Sequence, residues 1–557
     1  MENFSILVAG TAGFGIDKSG SIISYMINRL GYSVYIYRDY PSVIRGGHTF
    51  SIVRASSERI WAHENGIDYL LALNQDAVSF HTSKLKANSI IIYDADTVKC
   101  DGLICPVKNA IGLPVGKILK EEGASEIMRN TCAIGGFAKA IGIEWNVVEQ
   151  VLKKEITKDI EINLKVARRG YDSVNALASI KPLDRKPLPL VTGNEAVGLG
   201  LIKGGLKTYI AYPMTPSSPI LHFLANTANE FNLKVLHPES EIAVILMALG
   251  FSYCAESVAV GTSGGGFCLM TEGLSFSGMA ELPVVIVMGQ RPGPSTGLPT
   301  YSSQTELHFA LHAGQGEFVR FIVAPGDAEE AYFWSAVSMD MSRRFQIPSI
   351  ILTDKTMGEG VYNIDVDSVD KLDIGSSELW EGKPPYKRYQ ITDTGVSPLA
   401  IVPDKDAVIK VNSYEHDEYG LTTEDPEITT RMQDKRLLKI KFLLEEVQRH
   451  ETIKTYGNQN SSTVVLCWGS NKGVCIEAAQ RLNLKVVQPV VLSPFPIEVF
   501  KKAIEGAKKI ILVENSATGQ LRTFLNRYGI NIDAQILKYD GRPFSVDELE
   551  GKLKKTL

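Results

Sequence analysis

The chain has 557 residues, of which 44% are hydrophobic and 22% are charged, and its formal net charge is −5. This composition is typical of a folded globular protein with material for about three or four domains, and it argues against extensive disorder. The lack of a basic excess argues against binding to a nucleic-acid backbone.

Seven cysteines are scattered along the chain, and no two of them form a Cys-x-x-Cys pair. The odd count and irregular spacing are typical of reduced thiols, and they argue against a zinc site or an iron–sulfur cluster held by this chain alone. The first residues lack the basic segment and apolar core of a signal peptide, and no apolar run approaches the ~20 residues of a membrane span. We therefore expect a cytoplasmic protein.

The first block of the chain covers about residues 1–180 and alternates apolar strands with helices. Strands are predicted at 5–10, 33–37, 48–53 and 89–93, and helices at about 18–30, 132–141, 145–154 and 157–176. This alternation predicts a largely parallel α/β sheet. The glycines at 10, 13 and 15 depart from the dinucleotide-binding G-x-G-x-x-G spacing, which favours tight packing of strand against helix. Residue type leaves open whether Arg45–His48 faces a ligand or a subunit interface.

Two further blocks follow a proline-rich linker at 181–189. In the second, about residues 190–375, helices are predicted at 194–202, 240–253 and 328–344, and strands at 207–212, 234–237, 257–261, 283–288 and 348–353. A polar stretch at about 367–400 precedes the third, with strands at 463–468, 485–491 and 509–513 and helices at 472–482, 496–506 and 517–528. Both patterns predict α/β folds.

Four turns of the second block carry the chemistry, because ligands of open α/β sheets bind outside the carboxyl ends of the strands. The first is Y-P-M-T-P-S-S at 212–218, where Thr215 lies between two prolines. This turn either caps the next helix through Ser217 or Ser218, or presents the Thr215 hydroxyl and backbone amides to an anion.

The second turn is H-P-E-S-E at 237–241, and Glu241 begins a helix that is apolar on every face. Such a helix is expected to be buried. The helix dipole alone would favour an acid at this position. However, a carboxylate at the mouth of a core needs a specific partner, which favours a ligand.

The third turn offers backbone without large side chains, and the fourth turn offers a cation. Thr262, Ser263 and Gly264 belong to a glycine-rich turn that lets a backbone approach a small ligand, although it lacks the Gly-Lys-Ser/Thr of a P-loop. Arg291 enters a loop rich in proline and glycine, where it either pairs with a structural acid or binds a ligand's carboxylate. Convergence of the four turns on one sheet edge favours a ligand site.

These turns resemble those of the fused γ–α subunit of 2-oxoacid:ferredoxin oxidoreductases that have a separate β subunit, and the resemblance covers nearly the whole chain. It rests on GTAGFGIDKSG and YPSVIRGGHTFSIVR in the first block, on YPMTPSS, HPESE, GTSGGGF, MAELPVVIV and QRPGPSTGLPT in the second, and on EHDEYGLTTEDP, MQDKRLLK and VENSATGQL in the third. It implies three α/β domains: a γ-type domain at 1–180, a domain that binds the pyrimidine of thiamine diphosphate at 190–375, and a transketolase C-terminal-like domain at 395–557.

The resemblance also implies the reaction and the catalytic acid. The expected reaction is the coenzyme A-dependent oxidative decarboxylation of a 2-oxoacid, with 2-oxoglutarate favoured, to an acyl-CoA and CO₂ with reduction of ferredoxin. Glu241 is expected to hydrogen-bond N1′ of the cofactor's pyrimidine and to promote the tautomer that removes the thiazolium C2 proton. Thr262, Ser263 and Gly264 are expected to line the cofactor.

The same resemblance implies the substrate residues and the partner. Thr215 and Arg291, with Thr300 nearby, are expected to hold the 1-carboxylate of the 2-oxoacid. This chain lacks a G-D-G…N diphosphate and metal motif and a cysteine cluster. The resemblance therefore implies a β subunit that carries the diphosphate site, Mg²⁺ and a [4Fe-4S] cluster, in an (αβ)₂ assembly.

Two other functions were weighed against this one. The first is a different thiamine-dependent activity, such as a pyruvate-specific oxidoreductase or a non-oxidative transfer, and an iron–sulfur partner would distinguish oxidative from non-oxidative chemistry. The second is a non-catalytic assembly subunit. The presence of Thr215, Glu241 and Arg291 argues against it, because a scaffold has no need for them.

Overall fold

The computed structural model describes residues 2–43, 46–99, 109–365, 367 and 372–557. Arg45 of the Arg45–His48 segment, Cys100 and Cys105 lie outside the described residues. The chain divides into two compact units, Met1–Val191 with Glu359–Asp365 and Phe544–Lys555, and Thr192–Gly358 with Val366–Pro543 and Thr556–Leu557. The three sequence-predicted domain boundaries stay predictions.

The first unit is built on a mixed sheet whose described strands run in the order β6-β5-β4-β1-β3-β2-β14-β7. The strands are β1 (Asn3–Thr11), β2 (Ser33–Asp39), β3 (His48–Ser56), β4 (Ile67–Ala72), β5 (Leu85–Asp94), β6 (Asn109–Leu113), β7 (Leu190–Thr192) and β14 (Val361–Asn363). The helices are α1 (Ile16–Arg29), α2 (Gln75–Ser79), α3 (Val115–Glu122), α4 (Arg129–Ala140), α5 (Trp145–Glu155), α6 (Ile160–Asp172) and α18 (Val546–Thr556), with 3₁₀ turns at Thr82–Lys84 and Glu126–Met128.

The prediction of a largely parallel sheet is wrong for one side of this sheet. Strands β1, β4, β5 and β6 pair in parallel, whereas β3 pairs antiparallel with β1 and β2, and β14 pairs antiparallel with β2. The reason lies in the connection between β2 and β3, residues 40–47, which is too short for a helical crossover. A chain that cannot cross over returns antiparallel.

The N-terminal glycines pack as the sequence predicts. A Cβ on Gly10 would lie 2.7 Å from Ile16 Cδ1, so a side chain there would collide with the first helix. Gly15 caps α1 at a φ of 75°, in the left-handed region that glycine favours. At the start of β3, His48 Nε2 lies 2.8 Å from His81 Nε2.

The second unit holds a sheet with the described strand order β18-β12-β13-β11-β10-β8-β9 and a smaller one with the order β15-β17-β16-β19-β20. The strands are β8 (Thr208–Ala211), β9 (Lys234–Leu236), β10 (Val258–Ser263), β11 (Val284–Gln290), β12 (Phe321–Val323), β13 (Pro348–Asp354), β15 (Ile453–Gly457), β16 (Thr463–Leu466), β17 (Lys485–Pro489), β18 (Val491–Ser493), β19 (Lys509–Glu514) and β20 (Ala534–Leu537).

The helices of the second unit cover the faces of these sheets. They are α7 (Gly193–Lys203), α8 (Ser218–Phe231), α9 (Glu241–Tyr253), α10 (Gly264–Ala280), α11 (Leu307–His312), α12 (Ala328–Phe345), α13 (Lys355–Glu359), α14 (Pro426–Val447), α15 (Asn471–Arg481), α16 (Ile497–Ala503) and α17 (Gln520–Asn526). Among the described residues, none of the helices combines the length and the apolar character needed to cross a bilayer.

The two sheets of this unit share one apolar core. Met288 and Ile322 of the larger sheet belong to the same buried cluster as Trp468 and Phe500 of the smaller one. The predicted strand 485–491 is in fact divided: β17 stays in the smaller sheet, and β18 pairs antiparallel with β12 of the larger sheet. Pro489 ends β17, where its missing N–H interrupts the ladder.

A buried charge cluster also connects the second and third sequence blocks. Lys435 Nζ lies 2.7 Å from Glu281 Oε1, and Lys439 Nζ lies 2.5 Å from Glu281 Oε2. Arg388 donates a hydrogen bond to the Glu281 carbonyl at 2.8 Å. Burial alone would raise the pKa of Glu281, but Lys435 and Lys439 hold it well below its usual range. The carboxylate therefore stays ionised and neutralises part of this buried positive charge.

We predict that Glu281→Gln destabilises the second unit by about 3–5 kcal/mol, because it removes the carboxylate that pairs with two buried lysines. Urea unfolding followed by tryptophan fluorescence measures the change. The matched control is Glu498→Gln, which removes an exposed pair with Lys501 and is expected to cost less than about 1 kcal/mol. Equal unfolding midpoints for the two variants would contradict a structural need for the buried carboxylate.

Candidate active site at the carboxyl edge of the parallel sheet

The four turns singled out in the sequence meet at one edge of the larger sheet of the second unit. Strands β9, β8, β10 and β11 are parallel neighbours, so their carboxyl ends lie side by side. Ser263, the last residue of β10, pairs with Gly289 of β11. The glycine-rich turn and the arginine loop therefore start next to each other, as the sequence predicts.

Glu241 is the first residue of α9 and is only 6% exposed. The helix is capped by Ser240, whose hydroxyl accepts a hydrogen bond from the Ala243 amide at 3.3 Å. A Cβ built on Gly266 would lie 2.8 Å from Glu241 Oε1 and would collide with Thr262 Oγ1. The carboxylate thus lies over the bare backbone of Gly266, beside the Thr262 hydroxyl.

The glycine-rich turn leaves its helix N-terminus open. Ser263 stands at the N-cap of α10, yet its side chain does not cap the helix. Its hydroxyl is fully buried and has no hydrogen-bond partner within the part of the chain that the structure describes. A Cβ on Gly265 would have Ser295 O, at 3.9 Å, as its nearest neighbour, so there is open space in front of this turn. Uncapped helix amides beside an unpaired hydroxyl are suited to a polar or anionic ligand.

Arg291 is fixed by the turn that contains Thr215. Its Nη1 donates a hydrogen bond to the Thr215 carbonyl at 2.8 Å. Its Nε is buried and has no hydrogen-bond partner among the described residues. Burial lowers the pKa of Arg291, and the nearby Glu306 carboxyl opposes that shift. The structure thus brings Thr215 and Arg291 together and leaves part of the guanidinium available to an anion.

The loop after Arg291 is rigid for a steric reason. Gly297 adopts a φ of 53°, and a Cβ there would collide with the Pro292 carbonyl. The same carbonyl accepts a hydrogen bond from the Leu298 amide at 3.0 Å, which closes the loop on itself. Thr300 is buried further along this loop. Its contact with a substrate stays a prediction.

At this edge, one of the alternatives is excluded for Ser217, and one expectation is wrong. Ser217 occupies the N-cap of α8, but its hydroxyl donates to the Met214 carbonyl at 2.8 Å and does not cap the helix. Helix α9 is not buried on every face: Ile242 and Leu246 are 50% and 51% exposed, and Leu269 of α10 is 51% exposed. A helix that is apolar on every face is expected to be covered by protein, but its sequence does not show whether the covering residues belong to its own chain.

Sequence reasoning missed Glu306, which lies at the N-cap of α11. A Cβ on Gly264 would be 2.9 Å from Glu306 Oε1, so this second carboxyl lies against the glycine-rich turn. The Glu306 amide donates to Gln290 Oε1 at 3.2 Å. Burial raises the pKa of Glu306 to about 7. The only sequence signal was an acid between the arginine loop and a helix, which reads as an ordinary capping residue.

Gln304 anchors the arginine loop to the smaller sheet of the same unit. Its Nε2 donates to the Trp468 carbonyl at 2.7 Å, and its Oε1 accepts from Asn471 Nδ2 at 2.6 Å and from the Asn515 amide at 2.9 Å. Asn515 belongs to the VENSATGQL motif of the third block. This motif therefore positions the loop that carries Arg291 and Glu306.

Two family models match parts of this chain. Residues 199–435 match the family described as pyruvate flavodoxin/ferredoxin oxidoreductase, thiamine diphosphate-binding, and residues 5–173 match the pyruvate ferredoxin/flavodoxin oxidoreductase family. Among solved structures, the chain is similar to the 2-oxoglutarate:ferredoxin oxidoreductase of Magnetococcus marinus with 2-oxoglutarate, coenzyme A and succinyl-CoA bound. The TM-score is 0.90 and the identity 28%, over 100% of this chain and 99% of that one.

Curated relatives cover the chain from end to end. The 2-oxoacid:ferredoxin oxidoreductase subunit alpha of Sulfolobus sp is 30% identical over 99% of this chain and 97% of the relative. The 2-oxoglutarate synthase subunit KorA of Methanocaldococcus jannaschii is 28% identical over 64% of this chain and 97% of its own length. With both its sequence and its fold matched over nearly their full length, the chain belongs to the family of 2-oxoacid:ferredoxin oxidoreductase alpha subunits.

Proposed function

We propose that this chain supplies the pyrimidine-activating acid and the substrate clamp of a 2-oxoacid:ferredoxin oxidoreductase that acts on 2-oxoglutarate in the cytoplasm. One observation supports the proposal most strongly. A buried acid, Glu241, and a guanidinium held by a hydrogen bond, that of Arg291, lie at one edge of a parallel sheet. The choice of 2-oxoglutarate is supported by the similar Magnetococcus marinus structure, which holds 2-oxoglutarate, coenzyme A and succinyl-CoA.

The residues at this edge fit the pyrimidine half of thiamine diphosphate. The Ser263 hydroxyl is buried without a described partner, the turn at 264–266 has no side chains, and the Glu241 carboxylate lies beside it. Thiamine diphosphate, when bound, supplies the carbon centre that retains the electrons left by decarboxylation. The part of Glu241 is to hold a proton between its carboxylate and a ring nitrogen of the pyrimidine, while Thr262, Ser263 and Gly264 support the ring.

Arg291 is the proposed clamp for the 1-carboxylate of the substrate, together with Thr215 and Thr300. One arm of the guanidinium is already fixed on the Thr215 carbonyl, so Arg291 holds its direction before the substrate arrives. Such preorganisation matters because a misplacement of ~1 Å can cost ~100-fold in rate. The interaction between Arg291 and the 1-carboxylate must stay moderate in strength, since that carboxylate leaves as neutral CO₂.

A β subunit is the proposed source of what the described chain does not supply: the diphosphate site with Mg²⁺ and the [4Fe-4S] cluster, in an (αβ)₂ assembly. The relatives are named alpha subunits, which implies a partner. We expect this partner to bind the exposed apolar residues of α9 and α10, which are Ile242, Leu246 and Leu269. They follow Glu241 on α9 and the glycine-rich turn on α10, so a partner seated on them would also close the cofactor site.

Gly266→Ala is predicted to weaken thiamine diphosphate binding and to lower viologen-dye reduction by the complex about 100-fold or more, because the new methyl group displaces the Glu241 carboxylate. Gly551→Ala, on α18, is the control, since nothing lies within 4 Å of its Cβ, and it should keep near-normal activity. Glu241→Gln tests the acid with little change of volume. Near-normal turnover by that variant would remove Glu241 from the mechanism.

Arg291→Ala is predicted to raise KM about tenfold to a hundredfold for each 2-oxoacid tested, because it removes charge-assisted bonds to the shared 1-carboxylate. A panel of pyruvate, 2-oxoglutarate and a branched 2-oxoacid measures this, and the wild-type complex should show its highest kcat/KM with 2-oxoglutarate. Arg522→Ala, at an exposed position, is the control. Unchanged KM values across the panel would move the clamp elsewhere.

Leu246→Asp is predicted to prevent the β subunit from copurifying, since it places a charge in the exposed apolar face of α9 and α10. Size-exclusion chromatography with light scattering on the coexpressed subunits measures the assembly. Val408→Asp is the control, because Val408 is an exposed apolar residue, 83% accessible, elsewhere in the same unit. A complete complex with Leu246→Asp would exclude this face as the docking surface.

A further inference from the structure

Glu306 is a carboxyl in the candidate site to which the proposed reaction assigns no part. Its Oε1 packs against the backbone of Gly264, at the start of the glycine-rich turn. Its Oε2 is buried without a hydrogen-bond partner among the described residues. It stands at the N-cap of α11, yet its side chain makes no capping hydrogen bond with that helix. Hydrogen bonds from the neighbouring Thr305 favour the ionised form of Glu306, but its burial serves no capping role in the fold.

The charges around Glu306 come from different elements. Arg291, from the loop after β11, favours the ionised form of Glu306, and Asp354, at the end of β13, disfavours it. Asp354 pairs in register with Gln290, whose side chain holds the Glu306 amide. Glu241 lies over Gly266, two residues from Gly264 on the same first turn of α10. Among these groups, Arg291 and Glu306 each favour the charged form of the other, whereas Asp354 disfavours the ionised form of Glu306.

We propose that Glu306 is a positioning residue that competes with the substrate's 1-carboxylate for Arg291, so that binding of the 2-oxoacid is coupled to uptake of a proton by Glu306. This inference rests on the proposed clamp at Arg291. Without substrate, an ionised Glu306 balances the charge of the guanidinium. With substrate, a second anion faces the same cation, and protonation of Glu306 removes the repulsion.

The sign of the coupling follows from electrostatics. An anion bound beside a carboxyl favours its protonated form and raises its pKa. The pKa of Glu306 is already raised by burial to about 7. Binding of an anionic substrate near neutral pH therefore takes up a proton. By linkage, substrate binding weakens as the pH rises, because the ionised Glu306 must first be protonated.

The test uses the assembled holoenzyme and the 2-hydroxyacid analogue of its best substrate, which keeps the 1-carboxylate but offers no carbonyl for reaction. Isothermal titration calorimetry in buffers of different ionisation enthalpy measures the protons taken up on binding. We expect uptake of a measurable fraction of a proton per site near neutral pH, because burial raises the pKa of Glu306 into that range. Glu306→Gln, which imitates the protonated form, should take up none and bind at least as tightly.

A second readout separates positioning from a structural effect. In the wild type, KM for the 2-oxoacid is expected to rise about threefold or more from about pH 6.5 to about pH 8.5, with a smaller change in kcat. Glu306→Gln should remove most of that rise. Glu230→Gln, at an exposed acid on α8, should keep the wild-type profile. Thermal unfolding of each variant checks that it is folded.

The outcomes distinguish a failure of the coupling through Glu306 from a failure of the proposed clamp at Arg291. If Arg291→Ala binds the 2-hydroxyacid as tightly as the wild type, the clamp itself fails. If Arg291→Ala weakens binding, the clamp stands. The coupling through Glu306 is then overturned if the wild type takes up no proton, or if Glu306→Gln takes up as many protons as the wild type. Absence of proton uptake by the wild type overturns the inference even if Glu306→Gln does not fold.

Discussion

The candidate site depends on one steric condition: the Glu241 carboxylate occupies the space that a side chain on Gly266 would fill. Glycine at that position lets an acid at the start of α9 reach the first turn of α10. The helix dipole and the Ser240 cap stabilise that end of α9. The dipole and the cap explain why an acid is tolerated there, whereas the missing Cβ explains how its carboxylate reaches the Thr262 hydroxyl.

A second condition concerns the direction of Arg291. A guanidinium on a flexible loop would lose much of its binding energy in being ordered. Here the Thr215 carbonyl holds one nitrogen, Gly297 permits a tight turn, and Gln304 ties the end of the loop to the smaller sheet. The third block of the sequence thus contributes to the site through this loop. It holds the loop in the position that the arginine requires.

The sequence predicted the α/β class and most of the strands and helices of the second unit, because buried strands there are continuous apolar runs between turn residues. It also predicted that Thr215, Glu241 and Arg291 would converge, since parallel neighbours bring their carboxyl ends together. It could not predict the antiparallel side of the first sheet, which depends on a connection between β2 and β3 that gives no helical signal. It also missed Glu306, whose environment is created by Gly264, a residue distant in sequence.

The exposed residues of α9 show a limit of reading burial from composition. The sequence of α9 is apolar on every face and predicts a buried helix, yet Ile242 and Leu246 are exposed within this chain. The same helix begins with a buried carboxylate that needs a partner for its charge. A helix that presents both an acid and an unpaired apolar face at one end is better suited to close an active site against a second subunit than to complete a core. This is the arrangement expected if a cofactor is shared between two chains, and on the proposed function catalysis would then depend on assembly.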